Sequence, residues 1–279
     1  MRFAAVQLES QADVSANLSV AGREVERAKQ SGAEVVLLPE GFAFLGAEID
    51  KAKVSEALPA PGEKGASYGP IAGELARWSK ELGLVIIGGG MPEQSPNPER
   101  PYNTSVVFSG GQLVARYRKI HLFDVDLPDG TVLHESKGNT AGDEVVVFDV
   151  APGFKAGLSI CYDLRFPELF ARQRELGVNV LTLPAAFTKT TGQAHWHTLL
   201  RARAIETQSY LVAAAQWGAH PLDRKTFGHS LIVDPWGEVI AELAEGIGFI
   251  IADLDPKKVE QVRTNMPLEK HRRLGRSCA

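Results

Sequence analysis

Shortages set the first limits on this chain. It has 2 cysteines in 279 residues, and Cys278 stands one place from the end. Thiols so few and so placed make no disulfide framework, which fits a reducing, cytoplasmic setting. No apolar run approaches the roughly 20 residues of a membrane-spanning helix. The opening MRFAAVQLES turns polar at Gln7, too early for a secretory leader. Neither sign of charge dominates: a net charge of −4 gives no pull toward nucleic acid or an anionic membrane. Only Lys270-His271-Arg272-Arg273, continuing to Arg276, is locally basic. No histidine and cysteine group has zinc-ligand spacing, so neither metal nor organic cofactor is expected. With no internal repeat, low-complexity tract or composition break, one domain over 1–279 is expected, with a C-terminal tail from about 265.

What is present is an alternation of helical and strand patterns. Residues 2–8 read as a strand, 13–30 as a helix ended by Gly32, and 33–38 as a strand apolar enough to be buried on both faces. Residues 69–82 and 84–90 repeat that pair. Gly88-Gly89-Gly90 lacks dinucleotide-binding spacing and reads as close backbone packing. Residues 91–100, with three prolines, read as a surface loop, and 102–109 with 112–117 as a hairpin closed by Gly110-Gly111. A long irregular segment spans 122–142, and loops of that length usually line a site. The hairpin of 144–150 and 155–160 leads to Cys161. A strand at 178–183, a helix from about 194 to 209 capped by Thr191, a strand at 211–216, a loop at 217–227 and three strands after it complete the pattern. Hairpins among the βα units argue against an all-parallel sheet. The expected fold is α/β, a four-layer α-β-β-α sandwich of two mixed sheets.

Three reactive side chains share one kind of place. Glu40, Lys119 and Cys161 each lie at or just past a strand end, where functional groups gather in α/β folds. Cys161 is followed by Tyr162-Asp163-Leu164-Arg165 and a helix opened by Pro167-Glu168, whose N-terminal field would favour a thiolate. Each residue also has a plain reading. Cys161 can be a small buried core residue, Glu40 a capping carboxylate, Lys119 a charge on an edge strand. His121 is an alternative partner for the thiol, as in a cysteine–histidine hydrolase.

Taken together, Leu37-Leu38-Pro39-Glu40, Tyr117-Arg118-Lys119-Ile120-His121-Leu122-Phe123-Asp124 and Cys161-Tyr162-Asp163-Leu164-Arg165-Phe166-Pro167-Glu168 resemble the nitrilase (carbon–nitrogen hydrolase) superfamily. Asn103-Thr104, Gly228-His229-Ser230 and Asp234-Pro235-Trp236-Gly237 extend the resemblance over nearly the whole chain. It implies Glu40 as general base, Lys119 as oxyanion stabiliser, Cys161 as nucleophile and Glu135 as a second, orienting glutamate. The backbone N–H of Tyr162 would be a further oxyanion donor.

Thr191-Gly192-Gln193-Ala194-His195-Trp196 and Leu200 to Glu206 look closest to the deaminated glutathione amidases, with the ω-amidases acting on α-ketoglutaramate as the alternative. Either substrate is a small 2-oxo-acid amide, and Arg165 is the first candidate for its carboxylate, with Phe187 and Thr188 as pocket walls. An ion pair of Arg165 with Asp163 or Glu168 is the competing reading, and Arg201, Arg203 and Glu206 suit a helix-face charge network. The resemblance also implies a homodimer or larger homo-oligomer. A scaffold that keeps the fold without catalysis is the reading from another class, disfavoured by the complete catalytic set.

Overall fold

The first strand shows how the layers arise. In β1 (Arg2–Gln7), Phe3 and Ala5 enter one apolar core while Ala4 and Val6 enter another. Successive strand side chains point to opposite faces, so a strand apolar at every position needs cover on both. The computed structural model, which describes residues 1–126 and 132–274, supplies it with a second sheet on one side and helices on the other.

After β1 come α1 (Val14–Gln30), β2 (Val35–Leu37), α2 (Pro70–Glu81), β3 (Val85–Glu93), β4 (Tyr102–Ser109) and β5 (Gln112–Arg118). The Asp13 side chain caps α1 by accepting the Ala16 N–H at 3.0 Å, and Pro70 opens α2 at a position whose N–H needs no partner. A small ladder, β6 (Asp124–Asp126) and β7 (Val132–His134), follows. Next are β8 (Val147–Ala151), β9 (Phe154–Leu158), α3 (Pro167–Glu175), β10 (Val180–Ala185), α4 (Lys189–Thr207) and β11 (Tyr210–Ala215). A second small ladder, β12 (Trp217–Ala219) and β13 (Lys225–Phe227), precedes β14 (Ser230–Val233), β15 (Val239–Leu243) and β16 (Gly248–Asp253). α5 (Pro256–Asn265) and α6 (Leu268–His271) end the described chain.

One sheet has the order β16-β1-β2-β3-β4-β5, the other β15-β14-β11-β10-β9-β8. In each, three central strands are parallel and antiparallel strands flank them. The architecture is the expected four-layer α-β-β-α sandwich of two mixed sheets. Gly89 sets how closely the layers approach: a Cβ there would run into Pro184 of the facing sheet and the Leu38 carbonyl. The three-glycine run is close backbone packing, as the sequence suggested.

Several boundaries differ from expectation. Residues 91–93 are strand rather than loop, because a bulge between Gly88 and Met91 lets β3 run on and bury Glu93 against two arginines of β5. The segments read as irregular, 122–142 and 217–227, each hold a short ladder stitched by backbone bonds that side-chain patterns do not show; 127–131 lie outside the described residues. α4 starts at Lys189, ahead of the expected 194. Thr191 therefore sits inside the first turn, its hydroxyl 2.8 Å from that of Thr188. Part of the expected tail packs back on the body: Gln208 Nε2 donates to the Met266 carbonyl at 2.7 Å, and Arg272 meets Glu175 at 2.9 Å. Arg276 and Cys278 lie outside the described residues. Among the described residues no helix is long and apolar enough to cross a membrane.

Candidate active site

The ends of β2, β5 and β9 bring three side chains to one cleft. Glu40 follows β2, Lys119 follows β5, and Cys161 opens a 3₁₀ turn, Cys161–Arg165, three residues beyond the end of β9. A second 3₁₀ turn, Glu135–Lys137, adds Glu135. All four residues are buried and all four line the cleft.

Lys119 Nζ donates to Glu40 Oε1 at 3.0 Å and to Glu135 Oε2 at 2.8 Å. At 2% exposure it is no edge-strand surface charge. The far Glu40 oxygen accepts the Ala186 N–H at 2.9 Å, from the end of β10. That bond ties the two sheets together at the site, and Glu40 caps no helix. Asn103 Nδ2 links the carboxylates, donating to Glu40 Oε1 at 2.9 Å and Glu135 Oε1 at 3.1 Å. The Phe123 N–H completes the set at 2.7 Å from Glu135 Oε2.

Electrostatics follow from this packing. Burial alone would push Lys119 toward neutrality, but Glu135 and Glu40 outweigh it and hold its pKa well above the ordinary value. Burial likewise works against Glu135, yet Lys119 and then Lys51 draw its pKa down to about 2. Cys161 goes the other way. Burial raises its thiol well above the ordinary range, the nearby Glu40 charge raises it further, and Lys119 only partly opposes them. The helix N-terminus expected to favour a thiolate meets opposing influences here: burial first and Glu40 next raise the thiol, and Glu40 lies within hydrogen-bonding reach of it.

Cys161 has φ of 48°, a left-handed backbone that costs a non-glycine residue about 1–3 kcal/mol. Asp163 holds the turn in place. Its Oδ2 accepts the Ile160 N–H at 2.8 Å and the Tyr117 hydroxyl at 2.7 Å, and its Oδ1 accepts the His121 N–H at 3.2 Å. His121 Nδ1 is also 2.7 Å from Asp163 Oδ1, and its ring stacks on Phe166 at 3.7 Å. That histidine braces the turn and does not line the cleft beside Cys161.

A small extension beside Cys161 is lined by Tyr162, Arg165, Phe187, Thr188 and Thr191. Arg165 makes no ion pair with Asp163 or Glu168 among the described residues. Its guanidinium lies 5.3 Å from the Phe187 ring centre and 3.3 Å from His195 Nδ1. Phe187 also packs on Trp196 at 4.9 Å, so it serves core and pocket together. Arg203 bonds the Leu164 carbonyl and Glu206, and Arg201 the Gly237 carbonyl, which makes both structural.

Sequence reasoning missed four contributors. Asn103 is a motif residue without a role in the sequence reading; its place at the polar head of a strand that turns apolar only at Val106 is the available signal. Asp163 was weighed only as a partner for Arg165. Lys51 and Arg224 reach the cleft from a 3₁₀ turn, Glu48–Val54, and a loop that carry no local pattern.

The carbon-nitrogen hydrolase family matches residues 2–264. A deaminated glutathione amidase of Synechocystis sp. (strain PCC 6803 / GT-S) is 41% identical over 272 residues, covering 96% of this chain and 97% of that protein. The Homo sapiens deaminated glutathione amidase is 39% identical, covering 97% of this chain and 81% of that one. A crystal structure from Saccharomyces cerevisiae, of a member of branch 10 of the nitrilase superfamily, superposes with a TM-score of 0.86 at 33% identity. It covers 98% of this chain and 97% of that one. Fold and matches agree, and the chain belongs to the carbon–nitrogen hydrolase family of the nitrilase superfamily.

Proposed function

We propose that the protein is a cysteine amidase that hydrolyses a small 2-oxo-acid amide through a thioester, and that deaminated glutathione is the amide. The observation that supports the chemistry most is the buried Glu40–Lys119–Glu135 cluster with the Cys161 thiol against Glu40.

Glu40 takes the thiol proton as Cys161 Sγ attacks the amide carbonyl carbon, so that no free thiolate has to persist at rest. The carbonyl oxygen gains negative charge and is met by the Lys119 ammonium and the Tyr162 N–H. The first N–H groups of a helical turn have no intrahelical acceptor, which leaves Tyr162 suited to this task. One such donor is worth about 10²–10³ in rate. Collapse breaks the C–N bond, and Glu40 returns its proton to the departing amine. A water then gives its proton to Glu40 and attacks the thioester, and the departing sulfur regains that proton. Glu135 orients Lys119 and, with Asn103, keeps Glu40 aimed at the sulfur.

Arg165 supports the acidic half of the substrate, since a guanidinium without a carboxylate partner beside the nucleophile matches a carboxylate bidentately. Phe187 and Thr188 wall that side. The relatives carrying the name deaminated glutathione amidase support the substrate. The family resemblance supports a homo-oligomer, its size testable by light scattering, and the scarcity of cysteine supports a cytoplasmic setting.

The test is amide hydrolysis across deaminated glutathione, α-ketoglutaramate, simple aliphatic amides and N-carbamoyl amino acids, with intact mass following the acyl-enzyme. Deaminated glutathione is expected to give the highest kcat/KM, and the acyl mass to vanish in Cys161→Ala. Faster turnover of α-ketoglutaramate would replace the substrate but keep the mechanism. Acylation that survives Cys161→Ala would refute the mechanism.

A further inference from the structure

Three potential ligand side chains meet outside the cleft, and the mechanism uses none of them. His197 lies on α4, His229 in the turn before β14, and Glu242 on β15 opposite Leu231. One carboxylate oxygen serves both rings: Glu242 Oε1 is 2.8 Å from His197 Nε2 and 2.6 Å from His229 Nδ1. The three candidate ligand atoms all lie within 4.8 Å of one another.

Backbone contacts hold these elements in place. Trp196, which precedes His197, donates its indole N–H to the His229 carbonyl at 2.8 Å. The His229 N–H donates to the Ala244 carbonyl at 3.1 Å, and its φ of 57° is a strained setting that aims the ring at Glu242. Phe227 stacks on the His229 ring at 4.2 Å and meets His197 edge-on at 6.1 Å, forming an apolar wall behind the trio. The three side chains remain 24–38% exposed, so the opposite side is open to water. Burial disfavours the Glu242 charge, but bonds from His229 and His197 outweigh it and keep the carboxyl ionised below the ordinary range.

We propose that His197 Nε2, His229 Nδ1 and a Glu242 carboxylate oxygen form a binding site for a divalent transition-metal ion of the zinc class, with water in the remaining position. Two imidazoles and one carboxylate are a donor set such ions accept. Zinc bonds of about 2.0–2.2 Å place tetrahedral donor atoms about 3.3 Å apart. Rotation of half-exposed side chains reaches that spacing: the nitrogen–oxygen distances open slightly and the two nitrogens draw together. No electron transfer is involved. Each neutral ring moves the proton on its ligating nitrogen to its other nitrogen, and a protonated ring releases one to solvent. The bound ion would pin α4 to the β14–β15 hairpin. Because it binds only the folded chain, it would raise the melting temperature.

Zinc titrated calorimetrically into tag-free Cys161→Ala/Cys278→Ala protein, which carries no thiol, tests the site. One equivalent per chain is expected, with a rise in Tm. Cobalt in place of zinc should give weak visible bands without sulfur charge transfer. Losing a ligand costs more than losing a group that merely orients one, so His197→Ala and Glu242→Gln should each weaken binding by about 100-fold or more. Both residues are half-exposed, and circular dichroism checks that the variants fold. Absence of zinc binding, or binding left unchanged by both substitutions, overturns the site.

Discussion

Two buried charge clusters on neighbouring strands are built from the same ingredients in opposite proportion. At the end of β3, the single carboxylate of Glu93 meets two guanidiniums, Arg116 at 3.0 Å and Arg118 at 2.7 Å, and accepts the Thr104 hydroxyl at 2.8 Å. In the cleft, two carboxylates, Glu40 and Glu135, share the single ammonium of Lys119. Arg118 and Lys119 are adjacent in sequence yet serve different clusters, because successive side chains of an extended chain point opposite ways. Guanidiniums keep their charge at any working pH and fit a carboxylate fork-to-fork, so the Glu93 cluster is fixed in geometry. In the cleft the Glu40 charge adds to burial in raising the Cys161 thiol, and Lys119 only partly opposes them. One arrangement locks a strand; the other stores a proton beside a base.

Removing the shared cation should break the contrast most severely. In Lys119→Met two buried carboxylates lose the cation they share, a change that costs about 3–5 kcal/mol. We expect that loss in chemical denaturation at pH 7, together with loss of amide hydrolysis. Stability should partly return at lower pH, where one carboxylate takes a proton. A loss independent of pH would mean that the carboxylates are not coupled through Lys119.

Glu40→Gln separates the two effects of the base on the thiol. Hydrolysis should fall by about 10²–10⁴, the usual worth of a positioned base. Alkylation of Cys161 by iodoacetamide at fixed pH should become faster, since the neighbouring charge that raises the thiol is gone while Lys119 remains. Slower alkylation would show that Glu40 activates the thiol at rest, contrary to the electrostatics described above. Glu93→Gln should do the reverse of a catalytic substitution. It weakens a cluster whose arginines are 25–34% exposed, so the expected loss is about 1–3 kcal/mol with kcat nearly unchanged. Urea midpoints and turnover measured on the same preparation distinguish the two.

Legibility in the sequence followed the physics of each feature. Strands apolar on both faces are read directly from composition, and β1, β2 and β10 stand where the pattern put them. Glu40 and Cys161 are visible because they follow apolar runs, whereas Lys119, preceded by Arg116-Tyr117-Arg118, stands out only by its place at a strand end. Charge balance was not visible, because it depends on which side chains meet across 63 or 79 positions of chain, as Asn103 and Lys119 do with Glu40. The opposing influences on Cys161 have the same origin: a helix N-terminus is local and readable, whereas desolvation and a neighbouring carboxylate are tertiary. Lys51 and Arg224, held by irregular backbone, left no periodic trace.

Acid should dissect the cleft cluster more gently than any substitution. Lys119 and then Lys51 hold Glu135 down at about 2 in the folded chain, against 4.5 in the unfolded one. A carboxyl with a lowered folded pKa binds its proton more readily when unfolded, so its contribution is fully present above pH 4.5 and is lost as pH falls toward about 2. The stability difference between the unaltered protein and Glu135→Gln should therefore be constant from pH 5 to neutrality and shrink steadily below. If the Glu135 difference instead stayed flat to the onset of acid unfolding, Lys119 would not be what keeps that carboxyl ionised, and the shared-cation account of the cleft would fail.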